Sequence, residues 1–288
     1  MRIAAISDIH RNKSLVKLFT DSPKCQDVDV LLICGDISNG NIPELEEILS
    51  SFSDFNGEKL FVTGNHDIWS NSEDANASMV KYEHDIPIAC ENAGFHCLDN
   101  SPKIIGDIGF VGNIGWYDYS FKVLCGSTSQ PLHFSENRIV RRWEELNDDD
   151  YQQKMFLFMK DKSDPSTTFW GDKLYAKLGC SDKEFLERTL AKLKSDIEQI
   201  NRYAKSIVAV THHIPYEAIV PRRDDDVSYS LCNAYMGSKR IGELFDKYEK
   251  IRTVICGHSH TPGSFQINGK NCFNVSSENS YIKLIDIK

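Results

Sequence analysis

The sequence predicts an α/β fold, and two observations carry the prediction. Short apolar, β-rich runs recur along the chain, and five of them end abruptly in glycine, aspartate, asparagine or histidine. Ile3 to Ser7 runs into Asp8-Ile9-His10. Val30 to Cys34 runs into Gly35-Asp36. Leu60 to Thr63 runs into Gly64-Asn65-His66-Asp67. Ile207 to Thr211 runs into His212-His213, and Val254 to Cys256 into Gly257-His258-Ser259-His260. Between the first runs lie segments of helical period. Runs bounded by turn residues read as buried strands, and strands alternating with helices imply a mostly parallel sheet.

The elements follow in order. A strand over Ile3 to Ser7 precedes a helix from about Ser14 to Thr20. The strand Val28 to Cys34 precedes a helix from about Pro43 to Phe52, where proline sits in the first turn and acids come early. After the strand Lys59 to Thr63, helices are expected over Ala77 to Tyr82 and Ile88 to Asn92. Short strands follow at Phe95 to Leu98, Ile104-Ile105 and Phe110-Val111, the last two a hairpin around Gly106-Asp107. From Trp116 to Gly179 the pattern is aromatic and less regular. This 116–179 segment is expected to be a mostly helical insertion, with helices over Phe134 to Leu146 and Tyr151 to Met159, inside a single domain of residues 1–288. Ser181 and Glu184 form a capping box opening a long amphipathic helix to about Lys205. Alternation resumes at Ile207. A helix is expected over Ser238 to Tyr248 and strands at Thr253 to Cys256, Phe265 to Ile267, Cys272 to Val275 and Ile282 to Ile287. The last three are expected to form an antiparallel meander.

The 288 residues are 41% hydrophobic and 26% charged, with a formal net charge of −9. That balance does not favour a nucleic-acid or anionic-membrane partner. No run approaches the ~18 apolar residues of a membrane span. The nine cysteines lack C-x-x-C spacing, so neither a disulfide framework nor a cysteine zinc site is expected, and a reducing, cytoplasmic setting is. Met1-Arg2 leads straight into a strand whose end carries Asp8, so the N-terminus is read as part of the fold, not as a signal peptide.

Six of nine histidines stand at strand ends, namely His10, His66, His212, His213, His258 and His260, together with Asp8, Asp36 and Asn65. His84, His96 and His133 do not, and read as ordinary hydrogen-bonded residues. Ligands of open α/β sheets gather beyond the carboxyl ends of strands. Imidazoles suit transition ions and carboxylates suit hard divalent ions. A set this rich suits two ions, which can clamp the attacking and leaving oxygens of an in-line displacement and activate a shared water. A single zinc would use only three or four of these residues.

Asp8-x-His10, Gly35-Asp36, Gly64-Asn65-His66-Asp67, His212 and Gly257-His258-x-His260 resemble, in order, the five motifs of the calcineurin-like metallophosphoesterase superfamily. The resemblance covers the chain from Arg2 to about Asn113 and from Ile207 onward. It implies two packed mixed β-sheets flanked by helices, an α/β/β/α sandwich. It further implies one metal held by Asp8, His10 and His260, a second by Asn65, His212 and His258, and Asp36 bridging them. The two divalent ions would be Mn²⁺, Fe²⁺/Fe³⁺ or Zn²⁺. His66 would contact the phosphate and protonate the leaving oxygen, with Asp67 orienting it. The implied activity is hydrolysis of a small phosphorylated substrate, a phosphomonoester or phosphodiester.

Departures narrow this. No arginine follows Asp36 closely, and the residue after Gly64-Asn65-His66 is Asp67, not glutamate, which disfavours a phosphoprotein phosphatase. His213 is left over as a residue behind the ligands or on the substrate side. Trp116 and Tyr117 are candidates for a wall over the metals, against the alternative of a small hydrophobic core beneath the insertion. Arg138, Arg141, Arg142, Arg222 and Arg223 are candidates for a second phosphate, or plain solvated charges. The rivals are a non-catalytic scaffold on the same fold and a single-zinc amide hydrolase.

Overall fold

A computed structural model describes residues 1–12, 14–22, 25, 27–122, 170–222, 232–276 and 282–287. The expected helices at 134–146 and 151–159, and Arg138, Arg141, Arg142, Arg223 and His133, lie outside the described residues.

Two sheets form. The first has the order β11-β1-β2-β3-β4, from β1 (Arg2–Ile6), β2 (Val30–Ile33), β3 (Glu58–Phe61), β4 (His96–Cys97) and β11 (Lys283–Asp286). The second has the order β5-β6-β7-β8-β10-β9, from β5 (Lys103–Ile105), β6 (Ile108–Asn113), β7 (Ser206–Thr211), β8 (Ile251–Cys256), β9 (Gly263–Ile267) and β10 (Lys270–Asn274). Interior pairings are parallel, and β11, β5 and β9 add antiparallel edges. The two-residue alternation of strand side chains sorts the core into layers. Ile3, Ala5, Val30, Leu32, Phe110, Val208 and Val210 form one cluster drawn from both sheets. Their neighbours Ala4, Ile6, Leu31, Ile33, Val111 and Ala209 join the helices in the other.

The helices are α1 (Ser14–Asp21), α2 (Ile42–Ser50), α3 (Ala77–Val80), α4 (Ile86–Asn92), α5 (Asp172–Tyr175), α6 (Asp182–Ile200) and α7 (Lys239–Asp246). The expected box closes α6: Ser181 Oγ accepts from the Glu184 N–H while the Glu184 carboxylate accepts from the Ser181 N–H. Phe185, Leu186, Leu190, Leu193, Ile197 and Ile200 are its buried face. Between α3 and α4 the chain does not break, as the expected gap implied, but widens into a π turn over Lys81–Asp85. Pro87, early in α4, has no N–H to return to the preceding turn.

One expectation is corrected. The C-terminal strands are not a meander. β9 and β10 do form a hairpin, through Asn268 and Gly269 at positive φ. But β10 turns its other edge to β8 in parallel, and β11 crosses to the first sheet to pair with β1. The physical reason is the edge of β1, whose N–H and C=O groups need a partner. The described ends of the expected 116–179 insertion pack into the main core: Trp116, Tyr117, Tyr119, Phe121 and Leu178 are buried in the same cluster as α6. Among the described residues, no helix is long and apolar enough to cross a membrane.

Candidate metal centre

The five strand ends converge on one rim, and hydrogen bonds lock their loops together. Asp8 N–H donates to the Gly35 carbonyl, His10 N–H to that of Asp36, Arg11 N–H to that of Ile37, and Gly257 N–H to that of His212. The close approach demands glycine at two points. A Cβ on Gly35, at φ +86°, would lie 2.5 Å from the Gly64 nitrogen, and one on Gly64 would lie 2.1 Å from Asp36 Oδ1. Asp8, His10, Asp36, His258 and His260 all adopt left-handed backbone angles, φ 43° to 74°. Such angles cost about 1–3 kcal/mol each and cluster at functional sites.

Each central carboxylate spends one oxygen on the backbone and turns the other toward imidazoles. Asp36 Oδ1 accepts the His66 N–H at 2.9 Å. Its Oδ2 stands 3.4 Å from His212 Nε2 and 3.9 Å from both His10 Nε2 and His66 Nε2. Asp8 Oδ2 accepts the His258 N–H at 3.0 Å, and its Oδ1 faces His260 Nε2 at 3.2 Å and His10 Nε2 at 3.9 Å. The imidazoles also meet one another. His10 Nε2 and His260 Nε2 are 3.0 Å apart, and His212 Nε2 is 3.1 Å from His258 Nδ1 and 3.0 Å from Asn65 Oδ1. Three groups result, Asp8/His10/His260, His10/Asp36/His66 and Asp36/His212/His258, each with ligand atoms within 4.8 Å of one another.

This donor set fits divalent cations. Asp8 Oδ1 is buried and lacks a hydrogen-bond partner, a costly state for a carboxylate oxygen unless a cation meets it. Two nitrogens at right angles, each about 2.1 Å from one ion, stand about 3.0 Å apart, the spacing seen here. The distal nitrogens are already spoken for, as in metal-ligating histidines: His212 Nδ1 donates to the Cys34 carbonyl at 2.7 Å and His258 Nε2 to that of Tyr235 at 3.2 Å. Burial opposes ionisation of Asp8 and Asp36, but the facing imidazoles hold both below the usual carboxylate range. Burial likewise pulls His212 down, yet the Asp36 and Asp8 charges lift it to about 10.

His66 is seated differently from the expectation. Asp67 does not touch its ring. Instead Asp67, fully buried, accepts from the N–H groups of Asp36, Ile37, Ser38 and Gly64 at 2.8–3.0 Å and from Ser38 Oγ at 3.2 Å. Five donors and two oxygens fit the carboxylate, which ties the loop after β2 to the loop after β3. The ring of His66 leans on Asn39, whose Oδ1 is 3.0 Å from Nδ1, and lies face to face with Trp69, centroids 3.6 Å apart at 27°. Nδ1 therefore carries the proton and Nε2 faces the site. Burial lowers His66 to about 4.

His213, Trp116 and Tyr117 are fully buried, and Trp116 and Tyr117 belong to the main core cluster. Trp116 and Tyr117 stack at 4.8 Å, both rings meet His213, and His213 meets His258 at 4.4 Å. Trp116 Nε1 donates to Asp182. Of the arginine candidates, Arg222 pairs with Glu217 at 2.8 Å. Sequence reasoning missed Asn39, Trp69 and Asp172. The first is an ordinary loop residue after Gly35-Asp36, and Trp69, three residues beyond His66, offered a signal only in its spacing.

A sequence model of calcineurin-like phosphoesterases matches residues 1–262. No curated protein sequence matches the chain. Among solved structures, a phosphopantetheinyl hydrolase from Mycobacterium tuberculosis superposes with a TM-score of 0.72 at 17% identity, over 98% of this chain and 95% of that one. A dimetal phosphatase from Danio rerio gives 0.54 at 12% identity, over 96% and 87%. A Thermus thermophilus protein, TT1561, gives 0.51 at 10%, over 100% and 99%. At these identities the structures attest the fold, while the match across most of the chain decides descent: the protein belongs to the calcineurin-like phosphoesterase family.

Proposed function

We propose that the protein hydrolyses phosphate esters with two metal cations, Mn²⁺, Fe²⁺/Fe³⁺ or Zn²⁺. Asp8, His10 and His260 would hold the first, and Asn65, His212 and His258 the second. The observation that carries this reading is Asp36 Oδ2, one oxygen turned toward both His10 and His212 while its twin is engaged by a backbone N–H. Bound there, the cations would polarise a phosphoryl oxygen and lower the pKa of a shared water. His66 has a quarter of its side chain exposed and presents Nε2 to the site, in place to meet the phosphoryl group and hand a proton to the departing oxygen. The negative charge of a bound phosphate opposes the burial that keeps the ring neutral.

Beyond His66 a groove of about 770 Å³ opens, lined by Arg11, Asn39, Glu44, Trp69, Lys81 and Tyr175. Its size suits a small leaving group. Arg11 pairs with Glu44, while Lys81 donates to the carbonyls of Gly40 and Trp69, so the lining carries two cations against one carboxylate and favours a leaving group with anionic character. The test is a hydrolysis screen of metal-reconstituted protein over monoesters, diesters and cyclic esters. A phosphopantetheine ester belongs in it, since one similar structure is a phosphopantetheinyl hydrolase. Turnover should require metal. Two bound ions without turnover of any ester would favour a scaffold.

A further inference from the structure

Three N–H donors, two from the loop after β3 and one from the chain just before α5, converge on one buried carboxylate. Asp172, 3% exposed at the start of α5, accepts the Asn65 amide N–H at 2.9 Å and the Trp69 indole N–H at 2.7 Å on Oδ1. Its Oδ2 accepts the Trp170 indole N–H at 2.6 Å. Each donor leads to a different part of the site. The amide of Asn65 is planar, so holding Nδ2 on Asp172 turns Oδ1 the opposite way, toward His212 Nε2. Trp69 is the face on which His66 rests. Trp170 stands edge-on to His258 at 5.5 Å and stacks on Tyr235 at 5.0 Å, and the Tyr235 carbonyl holds His258 Nε2.

A buried carboxylate is expensive. An apolar residue would fill this space at less cost, but it would leave two indoles and an amide without an acceptor. We propose that Asp172 is a positioning residue that sets two properties together: the affinity of the second cation site, through Asn65 and His258, and the seating of His66, through Trp69. Asp172 never meets the reacting atoms. Its contacts also tie the chain that returns after residue 169 to the rim, so the returning end of the expected insertion is a working part of the site. The metal arm of this inference stands on the geometry alone, and only the activity arm rests on the hydrolase reading.

The experiment is Mn²⁺ titration calorimetry of the substrate-free wild-type protein and of Asp172→Asn, with melting curves for both. Asn keeps the shape but turns an NH₂ toward at least one donor. Partners that orient metal ligands are typically worth 10–100-fold in affinity. One of the two Mn²⁺ affinities should therefore fall at least tenfold while the other stays within about twofold. Both affinities unchanged with only a lower melting temperature would overturn the proposal, because that is the mark of packing alone. Both affinities falling alike would overturn it too. The second arm compares an alkyl and a nitrophenyl phosphate ester on Trp69→Phe, which removes the indole N–H together with part of the ring under His66, and which also serves if Asp172→Asn does not fold. The alkyl ester should lose more, with both affinities kept. An equal loss would refute the link to His66. If the wild type hydrolyses no ester of the screen, the hydrolase reading fails, and the calorimetry still decides the role of Asp172.

Discussion

Asp67→Asn tests whether Asp67 is a loop clamp or the partner of His66. The carboxylate serves five donors: Ile37 N–H, Ser38 N–H and Ser38 Oγ–H on Oδ1, and Asp36 N–H and Gly64 N–H on Oδ2. An amide retains one oxygen. In its better orientation it keeps the first three and turns an NH₂ against the N–H groups of Asp36 and Gly64. Each buried donor left without an acceptor costs about 1–3 kcal/mol, so the variant should lose about 2–6 kcal/mol. At about 2.1 cal/mol/K per residue, the entropy of unfolding for 288 residues is about 0.6 kcal/mol/K. The melting temperature should then fall by about 3–10 °C, read by calorimetry on the metal-free protein. Asn39→Ala provides the contrast: it should leave the melting temperature within about 1 °C, as surface changes do, and weaken turnover of an alkyl ester. An unchanged melting temperature in Asp67→Asn, joined to a selective loss on the alkyl ester, would refute the clamp and restore Asp67 as the orienting group.

Other outcomes follow from the same geometry. His66→Ala should retain both metals by elemental analysis. It should lose 10²–10⁴-fold on an alkyl ester, the usual worth of general acid catalysis, and far less on a nitrophenyl ester, whose leaving group needs no proton; equal losses would leave His66 with phosphate positioning only. Trp116→Ala removes a fully buried indole, so it should lower stability by about 3–5 kcal/mol. An altered substrate preference at unchanged stability would instead make Trp116 part of the pocket. Burial holds His213 down at about 3, and His212 beside it adds to this. A histidine kept neutral in the fold but protonated near pH 6.5 when unfolded contributes stability above that pH and loses it as the pH falls toward 3. The melting temperature of the metal-free protein should drop from pH 7 to pH 4, and His213→Gln should flatten the drop. An equal slope in both would assign the acid sensitivity elsewhere.

Much of the fold was legible because its signals are local. The capping box at Ser181 and Glu184, the apolar face from Phe185 to Ile200, and the Asn268-Gly269 turn each depend on residues within a few positions of one another. Each strand bound fell within two or three residues of the expected one. The Lys81–Asp85 π turn was not legible, because proline announces a disturbance without saying whether the helix ends or widens.

The sequence by itself determined which chemistry gathers at the rim. Five apolar runs ending in Asp8, Asp36, Asn65, His212 and His258 carry their donors in chain order, and a strand end can deliver a side chain nowhere but beyond the sheet. Only the tertiary structure decided which donor meets which. Asp67 turned to the N–H groups of the loop after β2 and left His66 to Asn39 and Trp69. Asp172 reached Asn65 across 107 positions of sequence. Trp116 and Tyr117 sank into the core behind His213, and β11 left its neighbours for the open edge of β1. The reason is common to all four. Periodicity and capping describe a chain against its own backbone, whereas these contacts arise where two sheets and their left-handed loops close on one another, and there hydrogen-bond satisfaction and packing select among many partners of the right type.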